Sequence, residues 1–235
     1  MSTNSLTPFL LAVPFTAIIT GAFNLSDMLP FPVAVAVGAG WGIVVGIAAT
    51  WLRSKPKPAA WVEDSLVFVG TIALAFAGCG GVMALLMLNG ALSSSSLTGE
   101  TLESMFLPMI PYYIAANAPL ELLIIPALLF LGWRAGKRRV LIVSAAALYF
   151  ALRVWTYLAY VPARLGFAES GHTTDPMTAA ERHQAYLDLK VDDPRWILVL
   201  VILSLFIVAA SFPRLREAPP PRTAAVLSPV THRLE

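Results

Sequence analysis

Glu121 and Arg153 are the residues of this chain best placed to do chemistry. Each interrupts a long apolar run. An ionisable side chain in such a run is expensive to keep, so it marks function and comes with a partner. Tyr113, Asn117 and Glu121 recur at a spacing of four and share one helix face. Tyr149, Arg153, Tyr157, Tyr160 and Arg164 follow steps of four, four, three and four and share a face of the next helix. A guanidinium in such a stripe can stabilise a phenolate or enolate, and a tyrosine can relay a proton. Arg153, Tyr157 and Glu121 are therefore the candidate catalytic residues. Tyr113, Asn117, Tyr149, Tyr160 and Arg164 are the candidate ligand-binding ones, with Pro162 shaping the pocket. Other readings fit the same residues. A buried Arg–Glu pair can serve only to hold helix register, the tyrosines can belong to an interfacial aromatic belt, and a polar stripe can carry ions or protons.

The elements that hold these stripes are membrane helices. Of the 235 residues 57% are hydrophobic and only 13% charged, with a mean hydropathy of +0.73; a soluble domain carries about 25% charged residues. The charges cluster between apolar runs of spanning length. Six spans are expected, at 7–24, 31–53, 65–89, 105–133, 139–163 and 195–213, in one membrane domain over 1–213. A disordered cytoplasmic tail over 214–235 follows, with Pro219, Pro220 and Pro221 in it. The expected fold class is thus an all-α polytopic bundle. No positive region precedes the first run, which reads as a retained span. Arg53, Lys55 and Lys57, then Arg134, Lys137, Arg138 and Arg139, then Arg214, Arg216, Arg222 and Arg233 fall on one side only if the spans number six. Lys and Arg in short loops mark the cytoplasmic side, so both termini are expected inside and the protein in the plasma or inner cell membrane.

The same frame brings the two charges together. Glu121 lies about 18 Å above Trp133, and Arg153 about 21 Å above Arg139, at 1.5 Å per residue. Spans four and five are antiparallel neighbours through a tight loop, so the two side chains meet at similar depth. Span four also carries Pro108, Pro111, Pro119 and Pro126. Each removes a backbone donor, and such breaks persist at membrane depth only where protein or a wet cavity satisfies the freed carbonyls. A bent helix lining something is expected. The stripes run outward to a loop with His172, Glu181, His183 and Asp188, and the seam reads as a pocket for an amphipathic small molecule.

Other signals concern packing. Gly38, Gly42 and Gly46 form a small-residue ridge. It suits either an oligomer interface or packing of span two on span three, where Gly78, Cys79, Gly80 and Gly81 could accept it. Cys79, the single cysteine, reads as a small filler in that interface. Residues 90–104 read as a flexible outer loop. Met177 to Leu189 reads as a short surface helix begun by Thr178 or Asp175. The spacing of His172 and His183 fits no metal template, so no metal or cofactor is expected. No basic stripe with interleaved aromatics suggests nucleic acid.

Three short segments carry a family resemblance: Tyr160-Val161-Pro162-Ala163-Arg164-Leu165, then Ala180-Glu181-Arg182, then Asp192-Asp193-Pro194-Arg195-Trp196. Over residues 65–213 the chain resembles the anthrone-oxygenase-like membrane family (DUF1772). Where that family has an Asn two residues after the proline, this chain has Arg164. The resemblance implies a four-helix membrane bundle and cofactor-free oxygenation of a hydrophobic substrate. Spans one and two lie outside it. Three functions compete: an enzyme-like or ligand-binding bundle for a hydrophobic small molecule, a small transporter component, and an accessory structural subunit. The lipid bilayer is a partner in all three.

Overall fold

The computed structural model describes residues 6–24, 29–132 and 136–212. Asp27, Trp133, Arg134 and the expected tail lie outside them. Among the described residues the protein is all-helical, with 84% helix and no strands. Among the described residues four helices are long and apolar enough to cross a membrane: Phe31–Arg53, Pro56–Leu92, Gly99–Leu131 and Lys137–Glu169. Thr7–Phe23 and Arg195–Ser211 are apolar but have 17 residues each.

In chain order the helices are α1 (Thr7–Phe23), α2 (Phe31–Arg53), α3 (Pro56–Leu92), α4 (Gly99–Phe106), α5 (Met109–Pro119), α6 (Ile125–Leu131), α7 (Lys137–Trp155), α8 (Val161–Glu169), α9 (Ala179–Asp188) and α10 (Arg195–Ser211). Two π-helical turns, Leu120–Ile124 and Thr156–Tyr160, join α5 to α6 and α7 to α8. The α5–α6 rod is central. Every residue of α6 is buried, with α1 and α2 against it on one side, while α10 packs on α7 and α3. Large apolar side chains such as Ile43, Ile47, Phe68, Phe76 and Leu86 remain exposed on α2 and α3, as suits helices bathed in lipid.

The glycine ridge is used inside the chain, and its partner is α1 rather than span three. A Cβ at Gly38 would come within 2.5 Å of the Thr16 carbonyl oxygen, and one at Gly42 within 2.3 Å of Thr16 Oγ1. Gly46 faces Phe9 and Phe130, which meet edge to face at 4.7 Å. The glycines of span three serve other neighbours. Gly78 faces Val199 and Leu200 of α10, and Gly80 makes room for Tyr112. The Tyr112 hydroxyl donates to the Phe76 carbonyl at 2.6 Å. Cys79 is exposed, so it is not the interface filler its size suggests. Its turn of α3 presents Gly78 and Gly80 to the protein instead.

Three expected boundaries shift. Span three runs from Pro56 to Leu92, because Pro56 and Pro58 sit in the first turn, where their missing N–H groups cost nothing. The helix of span five reaches Glu169, past Pro162. Residues 90–104 are not simply loop, since Thr98 caps α4 by accepting from the Thr101 amide. The segment then docks on the other outer one: the Met177 amide donates to the Leu97 carbonyl at 2.8 Å. Leu88, Leu92, Leu102, Phe106, Phe167 and Leu189 close a second apolar cluster there. The two connections form one cap. The helix expected over 177–189 is α9, with a full Thr178–Glu181 capping box. At the opposite end Arg138 ties α7 to α3 through Glu63 at 3.1 Å and Asp64 at 2.9 Å.

Candidate functional site

The prolines explain the local backbone of the seam. Each π-turn closes on the residue directly before a proline. The Ile125 amide bonds the Leu120 carbonyl ahead of Pro126, and the Val161 amide bonds the Thr156 carbonyl ahead of Pro162. A proline ring clashes with the carbonyl four residues back, and the wider turn relieves that crowding. In the α-helical pattern the acceptor left free by Pro126 is the Leu122 carbonyl. Trp41 of α2 donates its indole N–H to that oxygen at 2.6 Å, so neighbouring protein satisfies the break, as membrane depth requires.

Glu121 and Tyr157 occupy the second position of their respective π-turns, and the turns face each other. The Tyr157 hydroxyl donates to Glu121 Oε2 at 3.0 Å. Arg153 pairs through Nε with Glu121 Oε1 and donates through Nη2 to Tyr157 at 2.6 Å. Tyr149 donates its single hydroxyl proton toward Asn117 Oδ1 at 2.9 Å and Glu121 Oε1 at 3.3 Å. Arg153 already holds that Glu121 oxygen, so Asn117 is the acceptor that needs the proton. Asn117 in turn donates to the Tyr113 carbonyl at 2.8 Å. All five side chains, Asn117, Glu121, Tyr149, Arg153 and Tyr157, are buried, Glu121 to 4% exposure and Arg153 to 9%. The expected pair forms as an ion pair, and the tyrosine hydroxyls supply the hydrogen bonds: Tyr157 and, at longer range, Tyr149 donate to Glu121, and Tyr157 accepts from Arg153. α1 shields the group, with Phe23 edge-on to Tyr157 at 5.9 Å.

Tyr113, Tyr160 and Arg164 form a second group nearer the cap, and the sequence stripes did not separate the two. Arg164 donates through Nη2 to the Tyr160 hydroxyl. Its guanidinium lies 4.4 Å from the Tyr160 ring and 5.8 Å from that of Phe106. Arg195, which opens α10, stacks on the same Tyr160 ring at 3.4 Å. It also pairs with Asp193 at 2.5 Å and donates to Thr156 Oγ1 at 2.6 Å. The Tyr113 hydroxyl has Tyr160, Arg164 and Arg195 as electrostatic neighbours. In the sequence Arg195 stood out only within the segment Asp192-Asp193-Pro194-Arg195-Trp196 that carries the family resemblance. An Arg two residues after an Asp at a proline-led helix entry was the available signal.

The outer loop contributes less than expected. Glu181, His183 and Asp188 are exposed on α9, because α9 turns only Ala185 fully inward. His172 does pack inward. It stacks on Phe167 at 4.3 Å, and its Nε2 lies 2.8 Å from the Phe167 carbonyl, fixing the cap rather than facing the tyrosines. Backbone and side-chain hydrogen bonds from Thr178 hold the Glu181 carboxyl below its ordinary value of 4.5. Among the described residues no group of three or more His, Cys, Asp or Glu could hold a metal ion. Searches against protein-family models, curated proteins and solved structures found no match to this chain.

Proposed function

We propose that this protein binds an amphipathic, hydrophobic small molecule along the seam between Gly99–Leu131 and Lys137–Glu169. The supporting observation is the pair of π-turns. Each interrupts a long helix at the same place on the seam, and they meet through the Tyr157–Glu121 hydrogen bond. Single π-turns inside α-helices recur at functional sites. Binding fits the geometry better than oxygenation. Arg153 Nε and Nη2 are already engaged by Glu121 and Tyr157, whereas stabilising a substrate oxyanion needs donors left free for it. The inner group then holds the two helices in register, and the ligand takes the outer group.

A photoreactive fatty acid tests this reading. Cross-linked to the purified protein in nanodiscs, it labels peptides around Tyr113 and Tyr160 ahead of the exposed faces of α2 and α3. Uniform labelling of all lipid-facing helices would overturn the proposal. The bundle is proposed to have six spans with both termini cytoplasmic, on the strength of its basic connections. Reporter fusions after Lys57, Ser95 and Leu215 then read in, out, in; an external signal at Leu215 refutes the topology.

A further inference from the structure

The two groups of the seam differ in charge balance. In the inner group one guanidinium meets one carboxylate. In the outer group Arg195 has Asp193, but among the described residues no carboxylate forms an ion pair with Arg164. Arg164 is 8% exposed, and its Nε is a buried donor with no hydrogen-bond partner. The two guanidiniums lie 4.4 and 3.4 Å from one tyrosine ring, so they are no farther apart than those distances combined. Two cations that close, sharing one counter-ion, repel each other. A buried charge left uncompensated is costly unless something pairs with it. The faces of Tyr160 and Phe106 offset part of that cost, but they supply no acceptor in the plane of the guanidinium for Nε–H.

We infer that Arg164, through its unpartnered Nε–H, holds the anionic headgroup of an amphiphile, a carboxylate or a phosphate, while Arg195, engaged by Asp193 and Thr156, adds positive charge at the same Tyr160 ring. A guanidinium presents a planar fork that fits both groups. The Tyr113 hydroxyl, on the facing helix, is a further, neutral donor available to the headgroup. The position favours an amphiphile over a small soluble anion. Arg164 stands 27 residues along the Lys137–Glu169 helix, about 40 Å from its start at 1.5 Å per residue, roughly the height of the far headgroup layer. Ile114 and Leu158, close in sequence to Tyr113 and Tyr160, are exposed apolar side chains along which a tail can lie. Arg164 is a positioning and binding residue here, with no bond-making role.

This inference rests on the ligand-binding reading above and deepens it. The test uses the full chain in a neutral detergent, with oleate, dodecyl phosphate, methyl oleate and inorganic phosphate as probes, read by ligand-induced thermal shift and native mass spectrometry. The wild type binds oleate and dodecyl phosphate about tenfold or more tightly than methyl oleate, the difference expected of charge-assisted hydrogen bonds. Arg164→Gln reduces that preference to nothing while melting, without ligand, no lower than the wild type, because a lone buried charge has been removed. Lys190→Asn, which removes an exposed charge on the cap, leaves the preference intact. Should Arg164→Gln fail to accumulate, salt dependence decides: oleate protection of the wild type falls with rising salt and methyl oleate protection does not. Equal affinity for oleate and methyl oleate overturns the anion site and leaves the ligand-binding reading standing. Binding of none of the amphiphiles overturns both. Protection by inorganic phosphate alone, equal to that by dodecyl phosphate, overturns the amphiphile assignment. Oleate preference retained in Arg164→Gln overturns the role of Arg164.

Discussion

Replacing Glu121 by alanine strips Arg153 of its counter-ion and Tyr157 of its acceptor in a single step, at a depth where water cannot repair either loss. The structure sets the scale. Both charges are more than nine-tenths buried, they are in direct contact, and Tyr157 bridges them. Breaking such a pair from one side costs about 3–5 kcal/mol, more than the intact pair contributes, because the remaining charge is desolvated and alone. Glu121→Ala and Arg153→Ala each fall in that range. Glu121→Gln with Arg153→Gln leaves no lone charge and keeps polar groups beside Tyr157, so it recovers most of the loss. The coupling between the sites is about 2 kcal/mol or more, at the upper end of values for contacting residues. Equilibrium unfolding in mixed micelles, followed by tryptophan fluorescence, measures all four proteins. Strictly additive effects, or single variants within about 0.5 kcal/mol of wild type, would refute the reasoning. Retention of the photoreactive fatty acid by the double variant would show that the inner pair only holds register.

Three further outcomes follow from the same contacts. Gly42→Ala costs about 1–3 kcal/mol by overpacking, since its Cβ would meet Thr16 Oγ1 at 2.3 Å and the Val13 backbone at 3.1 Å; unchanged melting in detergent would show that α1 does not lie against the ridge. Trp41→Phe orphans the Leu122 carbonyl and costs about 1–3 kcal/mol, and a thermal melt equal to wild type would refute that hydrogen bond. The Glu181 carboxyl is held below its ordinary 4.5, so its contribution is complete above that value and is lost as pH falls through the lower folded one. Amide exchange of α9, corrected for its intrinsic pH dependence, therefore accelerates below pH 4.5 in the wild type and is insensitive there in Glu181→Gln.

Much of this arrangement could be read from residue order, for identifiable reasons. The meeting of Glu121 and Arg153 follows from helical rise and a short connection alone. The capping box of α9 is a local pattern, and its hydrogen bonds are made within four residues. The partner of the glycine ridge was not readable. A ridge says that some backbone comes close, and both α1 and α3 adjoin α2 in the chain. The cap was equally hidden. Four serines in a row suggest open loop, and the docking of Leu97 on Met177 joins segments 80 residues apart.

Apolar run length and charge spacing determined the helices and the polar stripes, because a bilayer admits only backbones that satisfy themselves and makes each internal charge conspicuous. The prolines announced broken helices but not their form. Whether a freed carbonyl turns to water, to a wider turn or to a neighbour's indole depends on what packs beside it, and for Leu122 that is Trp41. Tertiary structure likewise decided which charges are balanced. Glu121 and Arg153 stood out as a pair at the same depth, but the surplus at Arg164 emerges only when α10 brings Arg195 onto the same Tyr160 ring. Charge balance in a buried site is a sum over three-dimensional neighbours, and no single helix face contains all of its terms.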